Sequence, residues 1–315
     1  MWSLRSLAGV AGLAAVCAAC GSASSSPPPT TPAPADAPRP AFPVTLTAAN
    51  GMVRIAARPT RIVSLSPTAT EMLFAIGAGP QVVAVDSDSN YPATAPKTSI
   101  SAYQPNVEAI AGYSPDLVVA SNDPGGLVKS LGALKIPVLM EPAAGSLSDT
   151  YAQLEQLGAA TGHAAQARRL ASRMRSQIAR IVASVPKPKA RLSVYDELDN
   201  TYYSVTSATF VGGVFKTFGL RNIADKAKDA GSGYPQLSSE YIVSANPDLI
   251  FLSDTVCCHQ TPATVASRPG WSHIAAVVHH RVVGVNDDIA SRWGPRVVDL
   301  YRIVARAVLR AERSG

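Results

Sequence analysis

The chain has few of the residues on which metal and cofactor sites depend. Of its 315 residues, 4 are cysteine and 5 are histidine, and aromatic residues make up 6%. A zinc or manganese site needs about three convergent imidazoles with a carboxylate, whereas these histidines are scattered over positions 163, 259, 273, 279 and 280. We therefore expect no metal site and no bound cofactor.

Common catalytic motifs are also missing. The sequence has no Gly-x-Ser-x-Gly elbow, no His-Glu-x-x-His pair and no Gly-rich phosphate loop of the Walker type. Ser64, Ser66 and Asp86 are imaginable as catalytic groups, but Ser66 is better explained as a helix cap. We expect that the chain is not an enzyme and that it does not hydrolyse ATP.

The charge balance excludes a further class. The formal net charge is +6, and the arginines are spread along predicted helices rather than clustered with aromatic residues, so nucleic-acid binding is not expected. The apolar run from Leu7 to Val16 is too short to span a bilayer, and no other stretch is long and apolar enough to do so.

That apolar run has the features of an export signal. Arg5 precedes it, and the small residues Ala18 and Ala19 precede Cys20, so we predict a signal peptide over residues 1–19 and a lipid on Cys20. Cys17 occupies a position where leucine is usual in such lipidation sites. An ordinary secretory signal that leaves no lipid is the alternative.

The segment after Cys20 is rich in serine and proline. Residues 22–40 read SASSSPPPTTPAPADAPRP and offer almost no apolar side chain to bury. This composition is typical of an extended, disordered spacer. We therefore predict a lipidated Ser/Pro-rich linker over residues 20–42, which holds the folded part away from the membrane.

Only two cysteines remain in the predicted folded part. Cys257 and Cys258 are neighbours in the sequence, and an oxidising compartment favours a vicinal disulfide between them. Such a turn is either a rigid staple or a ligand-contacting, redox-sensitive loop. Adjacent residues do not easily present several ligands to one tetrahedral metal ion, so the Cys-Cys-His run does not indicate metal.

Strands and helices alternate along the first half of the remaining chain. A hairpin is predicted around Asn50-Gly51, and Ser66-Pro67 is expected to start a helix. Apolar strands are predicted at 61–65, 82–85, 115–120 and 137–140. The alternation predicts an α/β lobe with a parallel sheet over residues 43–147.

Residues 148–187 have a different, helical periodicity. Apolar residues recur every three or four positions as far as Val185, and Pro186 ends the pattern. A second α/β lobe is predicted over 188–315. Its Asn-Pro-Asp-Leu-Ile at 246–250 repeats the Ser-Pro-Asp-Leu-Val of 114–118. We predict two Rossmann-like lobes of the same design, joined by a long rigid helix.

Several separated segments resemble a known family. They read RIVSLSPTATEMLFAIG, YPATA, QPNVEAIAGYSPDLVVA, YPQLSSEYIVSANPDLIFLSD and VNDDIASRWGPRVVDLYRIV, in this order. Together they resemble the substrate-binding proteins of ABC importers for cobalamin and ferric siderophores, in which one rigid helix joins two lobes. The likeness is strongest to the cobalamin-binding members and runs from about residue 43 to the end.

The resemblance implies a docking role for two glutamates. Glu108 and Glu240 match the exposed residue with which each lobe meets arginines on a permease subunit. One charge on each lobe would set the register and orientation of the protein on the permease. The alternative is that both are solvated glutamates near helix N-termini.

The resemblance also implies a ligand site between the lobes, at the carboxyl ends of the strands. The matching loops carry Asp86, Asp88, Tyr91, Tyr103, Ser121, Asn122, Tyr234, Asp288, Arg292 and Trp293. Asp88, Ser121, Ile289 and Ala290 stand where cobalamin binders have aromatic residues, so the surface for stacking a corrin ring is thinner. We expect Arg292 to meet the polar edge of the ligand.

The expected function is capture of a corrinoid outside the cell and its delivery to an ABC permease and, through it, an ATPase. We expect a monomer that is extracytoplasmic and anchored to the cell membrane by the lipid on Cys20. The alternatives are a ferric siderophore or haem as the ligand, or a lipoprotein that scaffolds or senses without transport.

Overall fold

The computed structural model describes residues 42–186 and 191–313. The predicted signal peptide, the lipidation site Cys20 and the linker as far as residue 41 lie outside the described residues. The strands are β1 Val44–Ala48, β2 Gly51–Ile55, β3 Ile62–Leu65, β4 Val82–Val85, β5 Leu117–Ala120, β6 Val138–Met140, β7 Ser193–Glu197, β8 Arg221–Asn222, β9 Leu249–Leu252 and β10 Val282–Gly284. The helices are α1 Pro67–Ala75, α2 Val107–Gly112, α3 Leu127–Ala133, α4 Leu147–Thr161, α5 Ala164–Ala183, α6 Phe210–Thr217, α7 Ser239–Ala245, α8 Pro262–Ala266, α9 Ala275–Val278, α10 Asp287–Ser291 and α11 Val297–Arg313.

The described chain begins with the predicted hairpin. Strands β1 and β2 pair antiparallel, with Val44 opposite Ile55 and Ala48 opposite Gly51. Gly51 has a φ of +100°, a backbone conformation that side chains with a Cβ rarely adopt, which explains why glycine follows Asn50 here.

Two four-stranded parallel sheets form the centres of two lobes. The first has the strand order β4-β3-β5-β6 and the second has the order β10-β9-β7-β8. In each sheet the first strand along the chain lies between the second and the third, with the fourth at an edge. The two lobes therefore share one topology, as the repeated Pro-Asp segments predict.

Each Pro-Asp segment has the same structural role. Asp116 accepts hydrogen bonds from the backbone N–H groups of Thr60 and Arg61 at 2.7 and 3.0 Å. Asp248 accepts from the backbone N–H and the hydroxyl of Ser193, both at 2.7 Å. In both lobes the aspartate before the third strand therefore fixes the start of the first strand.

Helices α4 and α5 connect the lobes along the chain. α4 ends at Gly162, whose φ of +80° suits glycine, and α5 then runs for 20 residues, a length of about 30 Å. The two helices approach closely at Gly158, where a Cβ atom would lie 2.4 Å from the Cβ of Ala167. Glycine is therefore required for this helix pair to pack.

One hydrophobic core extends through both lobes. It joins Met72 and Leu73 of α1 to Met174 and Ile178 of α5 and to buried residues of α11 such as Val304. Two further clusters lie within single lobes. Because the shared core contains residues of both lobes and of the connecting helix, large separation of the lobes would expose apolar surface. In the described part of the chain, no helix is long and apolar enough to cross a bilayer.

Candidate ligand-binding cleft

The loops at the carboxyl ends of the strands meet between the lobes. They line an open cavity of about 530 Å³, a size within the range of small-molecule sites. Loops after β3, β4, β5 and β6 form the wall from the first lobe, and the segment after β10 forms the wall from the second. The predicted site residues that line this cavity are Asp88, Tyr103, Ser121, Asn122, Asp288, Arg292 and Trp293.

Two of the predicted aromatic ligand residues lie elsewhere. Tyr91 lines a neighbouring cavity of about 490 Å³, and its ring lies under the guanidinium of Arg296 at 4.2 Å. Tyr234 is 54% exposed and does not line the cleft cavity. Tyr103, which is 72% exposed, is therefore the aromatic side chain that the first lobe offers to the cavity.

A buried glutamate of the first lobe is bonded to two arginines of the second. Glu71, on α1, accepts a hydrogen bond from Arg292 at 3.0 Å and two from Arg296 at 2.9 and 2.5 Å. The side chains of Glu71 and Arg292 are 1% and 9% exposed. Charge-assisted bonds of this kind are strong and directional, so this cluster fixes the two lobes relative to each other.

Arg292 has additional partners around the cavity. It donates to Asn90 Oδ1 and to the carbonyl of Asp88, both at 2.9 Å, and it forms an ion pair with Asp288 at 2.7 Å. Asn90 also donates to Asp288 at 2.9 Å. The guanidinium of Arg292 is thus engaged on several sides, so it has a structural role beyond the ligand contact that the resemblance implies.

Trp293 is held in place by α4. Its indole N–H donates to Gln153 Oε1 at 2.8 Å, and the amide nitrogen of Gln153 donates to the carbonyl of Pro142 at 2.6 Å. Pro142 follows the last strand of the first lobe. Gln153 therefore links the two lobes and holds the ring of Trp293 in a fixed position in the wall of the cavity.

A hydroxyl network supports the loop that carries Asp88 and Asn90. Thr70 bonds Ser64 at 2.8 Å and Ser89 at 2.9 Å, and Ser89 donates to Asp86. Burial raises the pKa of Asp86. Ser66 accepts from the backbone N–H of Ala69 and caps α1, as predicted. These hydrogen bonds support the shape of the loop and the start of α1.

Glu108 and Glu240 occupy equivalent places in the two lobes. Glu108 lies in the first turn of α2 after the cap Asn106, and Glu240 lies in the first turn of α7 after the cap Ser238. Each helix leads into the third strand of its sheet. Both side chains are exposed, and hydrogen bonds with its own N–H and with Ser238 lower the pKa of Glu240. Their use in docking stays a prediction.

The predicted vicinal disulfide is not present in the structure. Cys257 and Cys258 are free thiols, and Cys257 is exposed. The backbone N–H of Cys257 donates to Asp287 at 2.8 Å and that of Cys258 to the carbonyl of Asp254 at 3.2 Å. The turn is thus held by hydrogen bonds to its neighbours without a covalent staple. Over residues 42–186 and 191–313, no group of three or more metal-ligating side chains comes together.

The sequence reasoning missed Glu71, Arg296, Asn90 and Gln153. A signal for Glu71 is present, because it is the one charged residue in the apolar helix sequence PTATEMLFA, and a buried charge needs partners. Arg296 follows Arg292 by four residues, a spacing that also suggests a shared partner. Nothing local to Gln153 indicates that it bridges the lobes.

Residues 62–289 match the family described as periplasmic binding protein. The chain belongs to this family. Its members are solute-binding proteins of transport systems, which act outside the cytoplasm, and those of ABC importers work with a permease and an ATPase.

Two curated relatives are similar over most of their length. An uncharacterised ABC transporter substrate-binding lipoprotein of Bacillus subtilis is 33% identical and covers 85% of this chain and 86% of its own. A cobalamin-binding protein of Halobacterium salinarum is 32% identical and covers 84% of this chain and 74% of its own.

A solved structure has the same fold. The periplasmic haem-binding protein RhuT from Roseiflexus sp. RS-1, in its apo form, superimposes with a TM-score of 0.69 over 81% of this chain and 99% of its own, at 23% identity. At this identity the likeness concerns the two-lobed α/β fold alone.

Proposed function

We propose that the protein captures a corrinoid in the cleft between its lobes and delivers it to the permease of an ABC importer. The observation that carries the proposal is the charge of the cleft. Among the described residues that line the cavity, Arg292 is the one with a positive charge. Its ion pairs with Glu71 and Asp288 already neutralise that charge. A strongly anionic iron complex would find no free positive charge there, whereas a corrinoid of low net charge would not need one.

The polar and aromatic lining supports the same ligand class. Ser121, Asn122 and the hydroxyl of Tyr103 offer hydrogen bonds to amide groups, while the rings of Tyr103 and Trp293 offer flat apolar surface. The name of the cobalamin-binding relative agrees with this chemistry. Because the structurally similar RhuT is named a haem-binding protein, iron compounds are the second candidate class of ligand.

Docking would use Glu108 and Glu240, which lie at equivalent places on the two lobes and so suit a two-point contact with a permease. We further propose that the mature protein is a monomer anchored to the outer face of the cell membrane by a lipid on Cys20. The relative from Bacillus subtilis is named a lipoprotein, which supports the anchor. The boundaries of residues 43–147, 148–187 and 188–315 stay predictions.

Calorimetry tests the ligand directly. The mature chain from position 20, with Cys20→Ser to prevent acylation, is titrated with cyanocobalamin, cobinamide, haem and ferric hydroxamate siderophores. We expect one-to-one binding of a corrinoid and none of the iron compounds. Binding of an iron compound alone would move the function to iron uptake, and binding of none would contradict a role in importing these solutes.

A matched pair of variants places the ligand in the cleft. Tyr103→Ala removes the aromatic side chain that the first lobe offers to the cavity and is expected to weaken corrinoid binding roughly tenfold. Tyr203→Ala removes a tyrosine that is 41% exposed and does not line the cavity, and it is expected to leave the affinity unchanged. Equal effects of the two substitutions would contradict the cleft as the binding site.

A further inference from the structure

A separate cavity, lined by residues of the second lobe, has a strongly positive lining. Its volume is about 670 Å³, and four basic residues line it: Arg191, Lys216, Arg221 and Lys226. All four are exposed. The cleft cavity, in contrast, is lined by one neutralised arginine and two aspartates.

The positive charge of this cavity is not balanced from within. Asp225 is its one acidic lining residue, and the carboxylate accepts hydrogen bonds from the backbone N–H and the hydroxyl of Ser207 at 2.7 and 2.8 Å. No salt bridge of the described residues involves any of the four basic side chains. Four exposed cations around one concave surface attract a polyvalent anion, of which a phosphate is the common biological form.

An apolar groove adjoins the positive cavity. It has a volume of about 480 Å³, shares Arg191 and Lys216 with that cavity, and is lined by Val182, Val185 and Phe218. A phosphate next to apolar surface suits an amphiphile. This combination favours a phospholipid over free phosphate, because the glycerol and upper acyl region would cover the groove.

The position of the cavity suggests where the lipid comes from. Ser244 lines it and follows Glu240 by four residues on α7, so the two lie on one face of the helix, about 6 Å apart along its axis. If Glu240 docks on a permease, the cavity lies beside the docking contact and hence near the bilayer. This step rests on the proposed function, whereas the charge and shape of the cavity do not.

We propose that the cavity lined by Arg191, Lys216, Arg221 and Lys226 binds the headgroup phosphate of an anionic membrane phospholipid. The contact orients the second lobe on the membrane during delivery. It is separate from the lipid proposed for Cys20, which tethers the chain without orienting it.

Vesicle binding tests the proposal. The mature chain with Cys20→Ser is sedimented with phosphatidylcholine vesicles that contain or lack phosphatidylglycerol. We expect binding only to the anionic vesicles. The double variant Lys216→Ala/Arg221→Ala should bind about 25-fold more weakly, because each basic residue near an anionic surface contributes about a factor of five.

The matched control removes the same charge from a different surface. Arg168 and Arg169 lie exposed on α5, away from the lining of the positive cavity, so Arg168→Ala/Arg169→Ala should bind anionic vesicles almost as well as the unchanged chain. Equal weakening in both double variants would mean attraction by net charge and would overturn the proposal. Thermal unfolding of both variants verifies that the fold is retained.

Calorimetry with soluble probes distinguishes the phosphate of a phospholipid from free inorganic phosphate. Short-chain phosphatidylglycerol below its micelle concentration should bind the unchanged chain and bind Lys216→Ala/Arg221→Ala much more weakly, whereas inorganic phosphate should show no comparable affinity. Phosphate that binds as tightly as the lipid would overturn the phospholipid assignment. None of these measurements uses the corrinoid or the permease, so their failure is distinguishable from failure of the proposed function.

Discussion

Glu71 of the first lobe and Arg292 of the second are joined by a buried ion pair with a distance of 3.0 Å between Oε1 and Nη1. Arg296 reinforces it through two further bonds to the same carboxylate. Arg292 lines the cleft cavity, so the pair connects the relative position of the lobes to the shape of the binding site.

The first prediction concerns the stability contributed by this pair. Glu71→Gln removes the buried carboxylate that Arg292 and Arg296 share and leaves Asp288 as their remaining acidic partner. The expected loss is about 3 kcal/mol in the free energy of unfolding. Urea denaturation measures it. Asp299→Asn breaks an exposed ion pair with Arg302, whose side chains are 45% and 44% exposed, and should cost less than about 1 kcal/mol. Similar losses in both variants would show that the buried pair does not brace the lobes.

The second prediction concerns the repeated Pro-Asp segments. Asp248→Asn weakens two hydrogen bonds that fix the start of β7, and Asp116→Asn does the same at the start of β3. Each substitution should cost about 1–3 kcal/mol of stability and leave corrinoid affinity unchanged. Chemical denaturation and calorimetry together check this, and a loss of affinity without a loss of stability would argue against a purely structural role.

These segments show what the sequence predicts well. The parallel sheets, the helix pair between the lobes and the shared topology follow from local patterns: apolar strands, helical periodicity and the repeat of Pro-Asp-Leu. The ion pair between Glu71 and Arg292 does not follow from local patterns, because the two residues lie 221 positions apart. The sequence around each residue does not identify the other as its partner. Likewise, Tyr91 and Tyr234 lie in loops that the resemblance assigns to the cleft, yet the conformations of these loops place both side chains away from the cavity.

The third prediction is a dependence of stability on pH. Burial raises the pKa of Glu141 to about 8, and no hydrogen-bond partner reaches its Oε1 atom. The native chain therefore keeps a proton that the unfolded chain releases above about pH 4.3. The stabilising effect is complete below that pH and is lost as the pH rises towards 8.

Substitution of Glu141 isolates its share of this effect. Glu141→Gln cannot ionise, so it should be more stable than the unchanged chain above pH 8, by an amount on the order of 5 kcal/mol. Part of the decrease of stability with rising pH should persist in Glu141→Gln, because burial raises the pKa of Asp196 to about 8 as well. Glu155→Gln, on α4, where the side chain is 41% exposed, serves as the control. Parallel stability curves for the Glu141 variant and the unchanged chain would contradict the raised pKa.

The fourth prediction concerns the state of the two cysteines. Partial desolvation, the neighbouring thiol of Cys258 and the carboxylate of Asp287 raise the pKa of Cys257 to about 12. The thiolate is the nucleophile, so alkylation of Cys257 should be slow at neutral pH, and Asp287→Asn should accelerate it. Mass spectrometry of the peptide with both cysteines, alkylated after denaturation without reductant, should show two labels. A peptide without labels would mean that the vicinal disulfide forms after all.

The fifth prediction separates delivery from capture. Glu108 and Glu240 are exposed and lie away from the cleft lining, so Glu108→Arg and Glu240→Arg should leave corrinoid affinity unchanged. Reversed charges would face the arginines expected on the permease, where like charges placed together cost several kcal/mol, and corrinoid uptake by cells should fall at least tenfold for each variant. Glu155→Arg on α4 makes the same charge change without affecting either helix. Full uptake with both docking variants would leave α2 and α7 without a role in delivery, even if corrinoid binding in the cleft were established.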